Sequence, residues 1–337
     1  MSGAFVYISN AESREIGVYG LDSANGDLIH IESVPVSGNV FPLAVSPDRR
    51  FLYAALRTEP FTVVSFAIDA STGRLTQLGS APLPDSMAYI STDRSGRYIL
   101  AASYPGNKLS VSPIGAHGFV QPPQSVLRTE LNAHCVIADA SNRFVFCSTL
   151  GSDVVMQFRF DAATGILTAN APVTVKVAPG AGPRHLALHP NNHYVYLLNE
   201  LDASLYAFGM DPVAGTLQEL QTVSAQPLEP LEKPAAADLH LTPNGAFIYA
   251  SVRASNTLAA FRVDSETGRL ESAGQYATEE MPRGFNIDPY GRYLICVGQR
   301  SHSATVYAIE QETGALAALR SYPVGQSPNW VEIVRLP

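Results

Sequence analysis

The feature that most constrains this chain is a sevenfold internal repeat. A short glycine turn, usually Thr-Gly-x-Leu, recurs at Gly26, Gly73, Gly118, Gly165, Gly215, Gly268 and Gly314, with spacings of 47, 45, 47, 50, 53 and 46 residues. A second marker keeps the same rhythm. An aromatic opens an apolar run at Phe5, Phe51, Tyr98, Phe144, Tyr194, Phe247 and Tyr293. Regular self-similarity at this period marks a repeat architecture, in which each unit cannot bury its own faces and must stack on its neighbours.

Within each repeat the pattern is that of four short strands. The turns between them carry the residues that tight reversals demand, as in Ser46-Pro47-Asp48, Pro190-Asn191-Asn192, Thr242-Pro243-Asn244-Gly245 and Pro289-Tyr290-Gly291. Ile90 closes a first strand in the third repeat. In the fourth, strands are expected over Val154 to Phe160 and over Val173 to Val177. No stretch of helix length carries a 3.6-residue apolar period. Four strands per repeat of roughly 45 residues point to an all-β, seven-bladed β-propeller of antiparallel blades. Phe5 to Asn10 aligns with the second strand of the other repeats, so the chain starts in mid-blade. Pro328 to Val334 supplies the missing first strand. Pairing of the N- and C-terminal strands therefore closes the ring, and residues 1–337 form a single domain.

The repeat also allows a functional face to be chosen. The innermost strand of a propeller blade pairs antiparallel with the second, so the start of the first and the end of the second share one face. The second-strand ends include Arg57, Tyr104, Glu200, Arg253 and Gln299. The first-strand starts include Phe41-Pro42, His134, Arg184-His185, Asp238, Arg283 and Asn329. The opposite face presents Pro, Asn and Gly turns. Charges in a concave mouth are costly unless paired or used, so four arginines gathered there suit a small anion. The bland alternative is that each arginine is a solvated strand end or pairs with a neighbouring blade. A stretch around Gln226 to Pro234, rich in proline, widens the repeat to 53 residues and reads either as a stiff loop able to rim the same mouth or as a neutral insertion.

Composition narrows the function classes. The formal net charge is −8 and no Lys/Arg run occurs, which argues against a nucleic-acid partner. No run approaches the roughly 20 apolar residues of a membrane span. Glu12, Arg14 and Glu15 interrupt any signal-peptide core. The three cysteines, Cys135, Cys147 and Cys296, lie in apolar runs without metal-ligand spacing and read as buried free thiols. A cytoplasmic protein is the expectation, and a monomer, because a closed ring leaves few strand edges.

Several segments resemble the bacterial propeller-type 6-phosphogluconolactonases, relatives of the fungal carboxymuconate-lactonising enzymes. They are Gly180-Ala181-Gly182-Pro183-Arg184-His185-Leu186-Ala187-Leu188-His189-Pro190, Asn199-Glu200-Leu201, Ala236-Ala237-Asp238-Leu239-His240, Tyr249-Ala250-Ser251-Val252-Arg253, Pro282-Arg283-Gly284-Phe285-Asn286 and Gly325-Gln326-Ser327-Pro328-Asn329-Trp330. The similarity spans essentially the whole chain, in order. It implies hydrolysis of 6-phospho-glucono-1,5-lactone, with His134, Arg184, Glu200 and Arg253 as catalytic residues. Around His134 the match departs from the family pattern at Asn132-Ala133 and Cys135-Val136. On this reading Glu200 or His134 is the base, and Arg184 and Arg253 hold the oxyanion or the phosphate. Arg283, Arg57, His185, Asp238, Gln299 and Tyr104 would assist in substrate binding. No cofactor is implied. A Ca²⁺ site would want several converging carboxylates, and only Glu200 and Asp238 are candidates. The alternatives on the same scaffold are a carboxymuconate cycloisomerase, a hydrolase of an unphosphorylated sugar lactone, and a non-catalytic interaction platform.

Overall fold

In the computed structural model, which describes residues 4–336, the chain forms seven four-stranded antiparallel sheets. Residues 1–3 and 337, which the expected domain included, lie outside the described residues. The innermost strands are Pro328–Val334, Val40–Val45, Tyr89–Thr92, Ala133–Ala138, Pro183–Leu188, Ala236–Leu241 and Pro282–Ile287. Each contacts the next around the ring, and the last returns to the first. The ring closes as expected. Pro328–Val334 pairs antiparallel with Ala4–Asn10, with Phe5 opposite Val334 and Asn10 opposite Pro328.

The burial pattern explains the strand sequences. Second strands such as Phe51–Leu56, Tyr98–Ser103 and Phe144–Thr149 are buried at every position. A sheet covered on both faces by neighbouring blades tolerates continuous apolar runs, whereas a half-exposed sheet would alternate. Outermost strands such as Leu75–Pro82 are mostly exposed and keep little more than their leading leucine inside.

The two markers that revealed the repeat are two halves of one contact. Gly73 adopts φ 71°, and a Cβ there would collide with the ring of Phe5 in the preceding blade. The same seating joins Gly118 to Phe51, Gly165 to Tyr98, Gly215 to Phe144, Gly268 to Tyr194, Gly314 to Phe247 and, across the closure, Gly26 to Tyr293. Only glycine offers both the left-handed backbone and the missing side chain. Tyrosines two residues further along lock three of these turns. Tyr7 donates to the Gly73 carbonyl at 2.8 Å, Tyr196 to that of Gly268 at 3.0 Å and Tyr249 to that of Gly314 at 2.8 Å.

Three local expectations need correction. The outer strand of the fourth-repeat blade is Ile166–Lys176, not Val173 to Val177. It begins directly after the Gly165 turn and bulges opposite Gln157. There Pro172 has no N–H to give, and Asn170 turns aside to donate to the Ala214 and Gly215 carbonyls. Ile90 lies inside its strand, Tyr89–Thr92, rather than at its end. The proline-rich loop is strand-free and emerges on the expected face. It is tied down by Gln226, whose side chain donates to the Asp202 carbonyl, and by Ala254 N–H bonding the Pro234 carbonyl. It does not line the mouth. A 3-10 turn at Leu150–Ser152 is the one helical element among the described residues.

Candidate active site

The residues of the chosen face converge because the innermost strands are bulged at one level. Pairing skips a residue between Ala133 and Cys135, between Pro183 and His185, between Pro282 and Gly284, and at the Asn10/Pro328 end of the closing pair. It skips two residues between Val40 and Leu43 and between Ala236 and Leu239. The residues left out are His134, Arg184, Arg283, Asn329, Phe41-Pro42 and Ala237-Asp238. A bulge inserts an unpaired residue and re-aims its side chain, so five of seven blades turn a side chain toward the axial mouth or its floor in this way, and the sixth bulge places Asp238 behind them. The positions just outside these strands are left-handed, including Ala235 (φ 53°) and Met281 (φ 60°). Such backbone costs of order 1–3 kcal/mol per residue and persists only where surroundings impose it.

The mouth is a cavity of about 350 Å³ lined by Arg57, Ser86, Ala88, Tyr104, Pro105, His134, Glu200, Arg253 and Arg283. Six of these were expected from sequence. Arg184 and His185 lie in its floor, where a recess of about 10 Å³ touches both. Asp238 is buried behind His185. Gln299 shares the face but donates to Ser327 Oγ at 3.2 Å and is not part of the lining. Asn329 is spent on the ring closure, donating to the Val40 and Ser327 carbonyls.

The four arginines divide into two pairs. Arg184 Nε donates to Glu200 Oε2 at 2.9 Å and Arg253 Nη2 to Glu200 Oε1 at 2.9 Å, so one carboxylate is gripped from both sides. Arg184 is 2% exposed and also donates to the Ala237 carbonyl. Arg253 Nε donates to the Ala235 carbonyl at 2.7 Å. Burial pushes the Glu200 carboxyl up, but Arg184 and Arg253 outweigh it and hold the group below its usual range. The other pair has no acidic partner. Arg57 spends its Nε on the Met87 carbonyl at 2.8 Å. Its guanidinium carbon sits 4.1 Å from the centroid of Phe41, and that of Arg283 lies 5.6 Å from the same ring. Arg283 makes no side-chain hydrogen bond to the described residues, and burial followed by repulsion from Arg184, Arg253 and Arg57 pulls its pKa well down. Phe41 is the functional residue that sequence reading placed on the right face without a role. Its role left no signal in the sequence, because the skipped register beside Pro42 shows only once the strands are paired.

Two histidines occupy the next layer. His134 lines the cavity edge-on to Tyr104, with ring centroids 6.0 Å apart. Burial and then Arg184, His185, Arg283 and Arg57 keep its pKa well below 6.5, so it is a neutral imidazole at neutral pH. His185 Nδ1 lies 2.7 Å from Asp238 Oδ1. Burial, then Arg184, lowers its pKa to about 4 despite that carboxylate. Asp238 also accepts from the Phe285 N–H at 3.1 Å and lies 3.3 Å from His240 Nε2. Among the described residues no group of three or more His, Cys, Asp or Glu side chains is arranged to hold a metal ion. Nor is any helix long and apolar enough to cross a membrane.

Known proteins match both the sequence and this architecture. The family model described as "Lactonase, 7-bladed beta-propeller" covers residues 3–333. A curated relative from Pectobacterium carotovorum named 6-phosphogluconolactonase is 41% identical over 98% of each chain. One of the same name from Yersinia pestis is 43% identical over 97% of each. Among solved structures, the periplasmic gluconolactonase of Pseudomonas aeruginosa superimposes with a TM-score of 0.93 at 28% identity, over the full length of both chains. With a seven-bladed ring, an arginine-rich axial mouth and these matches along nearly its whole length, the chain belongs to the lactonase family of seven-bladed β-propellers.

Proposed function

We propose that the protein hydrolyses 6-phospho-D-glucono-1,5-lactone to 6-phospho-D-gluconate, the lactone-opening step of the pentose phosphate pathway. The observation that carries this reading is the charge balance of the mouth. Four guanidiniums face one carboxylate, and Arg57 and Arg283 have no acid of their own. Buried cations without a partner are unfavourable, and a phosphate monoester supplies the missing charge. The cavity volume lies in the range of small-molecule sites. The relatives named 6-phosphogluconolactonase support the same substrate.

The geometry supports one division of the roles. Both Glu200 oxygens accept guanidiniums, so Glu200 anchors Arg184 and Arg253 rather than serving as base. His134 is neutral, with a lone pair available at the cavity wall, and takes the proton of the attacking water. Water adds to C1, Arg253 stabilises the oxyanion that develops on the carbonyl oxygen, and collapse breaks the ring C1–O bond. Arg57 and Arg283, stacked on Phe41, hold the phosphate, and Tyr104 walls the sugar.

A second reading, an unphosphorylated sugar lactone, has the P. aeruginosa gluconolactonase in its favour. The two are separated by assaying freshly generated phospholactone, coupled to 6-phosphogluconate dehydrogenase, beside glucono-1,5-lactone. Acceleration of the first far above its spontaneous opening is the expected result. Preference for the second overturns the phosphate assignment. Three free, buried cysteines support a cytoplasmic location, and the unbroken ring of inter-blade contacts supports a single domain.

A further inference from the structure

Behind the cavity wall two imidazoles stand side by side, each with a nitrogen that has no partner. The rings of His134 and His185 have centroids 5.2 Å apart and are tilted by 59°. His134 Nδ1 is buried without a hydrogen-bond partner among the described residues, and so is His185 Nε2. The other nitrogens are accounted for. His134 lines the cavity, and His185 Nδ1 is engaged by Asp238 Oδ1 at 2.7 Å. With its proton on Nδ1, His185 presents a lone pair on Nε2. With its cavity-side nitrogen acting as base, His134 presents an N–H on Nδ1. The two orphaned nitrogens are therefore a donor and an acceptor, on rings whose 5.2 Å centroid spacing leaves room for one N–H···N hydrogen bond between them. Buried polar atoms are seldom left unsatisfied, so two of them on adjoining rings call for an explanation, and a shared function is one.

The surrounding charges say what that function is. His134 is faced by Arg184, Arg283, Arg57 and His185, with the edge of Tyr104 beside it, and the carboxylate that shares its cavity, Glu200, is already gripped by two guanidiniums, so a positive charge created there has no unspent acid to meet it. His185 is faced by Arg184 and His240 but also by Asp238, and its remaining neighbours are the rings of Tyr89 and Trp330. Asp238 is held by His185, His240 and the N–H groups of Leu239 and Phe285, and His240 in turn senses Glu332.

We propose that Asp238 and His185 form a proton relay behind His134, which carries the proton of the attacking water out of the arginine cluster. The relay rests on the assignment of His134 as base. As the new C1–O bond forms, the water O–H breaks and its proton goes to the cavity-side nitrogen of His134. The Nδ1 proton of His134 passes to His185 Nε2, and the resulting imidazolium lies against the Asp238 carboxylate. When the ring C1–O bond breaks, the transfers reverse and the leaving ring oxygen takes the proton, so nothing is gained or lost by the relay. Asp238 and His185 are positioning and charge-accepting groups, and of these three residues only His134 touches the reacting atoms.

The test is Asp238→Asn, which keeps size and shape but removes the charge. The expected result is at least a tenfold loss of kcat with KM within about twofold of the parent. The acid limb of the kcat profile should also move to lower pH, because His185 loses the carboxylate that favours its protonation. A purely structural role would raise KM and leave the limb in place, and that pattern overturns the relay. Unchanged kcat in Asp238→Asn beside an inactive His134→Gln also overturns the relay while keeping the base. An active His134→Gln removes both. If the wild-type protein opens only unphosphorylated lactone, the same variants are read on that substrate, and the relay stands or falls there. Should Asp238→Asn fail to fold, the wild-type protein still decides. A two-proton transfer gives a bowed dependence of kcat on the deuterium fraction of the solvent, and a straight line rules the relay out.

Discussion

Two pairs of arginines share one mouth but live in different electrostatic worlds. Arg184 and Arg253 grip the two oxygens of Glu200 and spend further donors on backbone carbonyls. Arg57 and Arg283 stack on Phe41 and face the cavity without an ion pair, although the already gripped Glu200 lines the same cavity. The first pair is complete without a ligand, whereas the second is complete only with one. Proximity to a site thus says little about what an arginine does there. The count of its satisfied donors says more.

The sharpest way to break this contrast is Glu200→Gln. Removing the charge leaves Arg184 buried without its hydrogen-bonded counter-ion, and losing one member of a buried pair costs about 3 kcal/mol or more. Thermal unfolding should show a drop in Tm of several degrees. Turnover should fall on the order of a thousandfold as both guanidiniums lose their anchor. Arg283→Ala should do the reverse. It deletes a cation that the folded protein leaves unpaired, so Tm should hold or rise slightly. The value of kcat/KM for the phospholactone should fall about 10- to 100-fold, mainly through KM, the worth of one charge-assisted contact. Activity on glucono-1,5-lactone should change little. Equal losses on the two substrates would remove Arg283 from the phosphate site.

The sequence makes the ring and the face readable because both depend on local rules. A glycine and an aromatic recur in each repeat because each forms half of the same inter-blade contact, Gly73 on Phe5 being the pattern. Strand ends could be aligned across blades because every second strand stops one residue short of the position chosen, as Phe51–Leu56 does before Arg57 and Tyr194–Asn199 before Glu200. The division among the arginines has no local signature. Arg184 finds Glu200 past the end of the neighbouring strand and Ala237 in the next blade, and Arg57 finds the Met87 carbonyl in the next blade. The roles of Phe41 and of the His134–His185 contact depend on bulges, which become visible only when two strands are paired.

The open pair also leaves a mark on pH dependence. Folded His134 and His185 are held neutral below the ordinary histidine range, by burial first and by the arginines next. Below about pH 6.5 the unfolded chain therefore binds protons that the folded chain refuses, and stability falls with pH. For His185 this loss continues until about pH 4, where the folded form also protonates. Replacing both Arg57 and Arg283 by alanine removes two of the charges that repel a proton from His134, so its folded pKa should rise. Urea unfolding between pH 6.5 and 4 should then show a shallower decline, by on the order of 1 kcal/mol over the interval. An unchanged slope would mean that burial, with Arg184 and His185, keeps His134 neutral without help from the open pair.

The smallest effect should come from the ring between the open arginines. Phe41 gives both guanidiniums a π-face to rest on, at 4.1 and 5.6 Å, in place of the acid they lack. Such contacts contribute about 0.5–2 kcal/mol. Phe41→Leu keeps an apolar wall but removes that face. The two side chains should then lose their fixed spacing while keeping their charge. KM for the phospholactone should rise a few-fold with kcat nearly constant, and the Glu200 pair should be untouched, so Tm should move by no more than the packing change of a Phe-to-Leu swap. A loss as large as that of Arg283→Ala would mean that orientation, rather than charge, is what the open pair contributes.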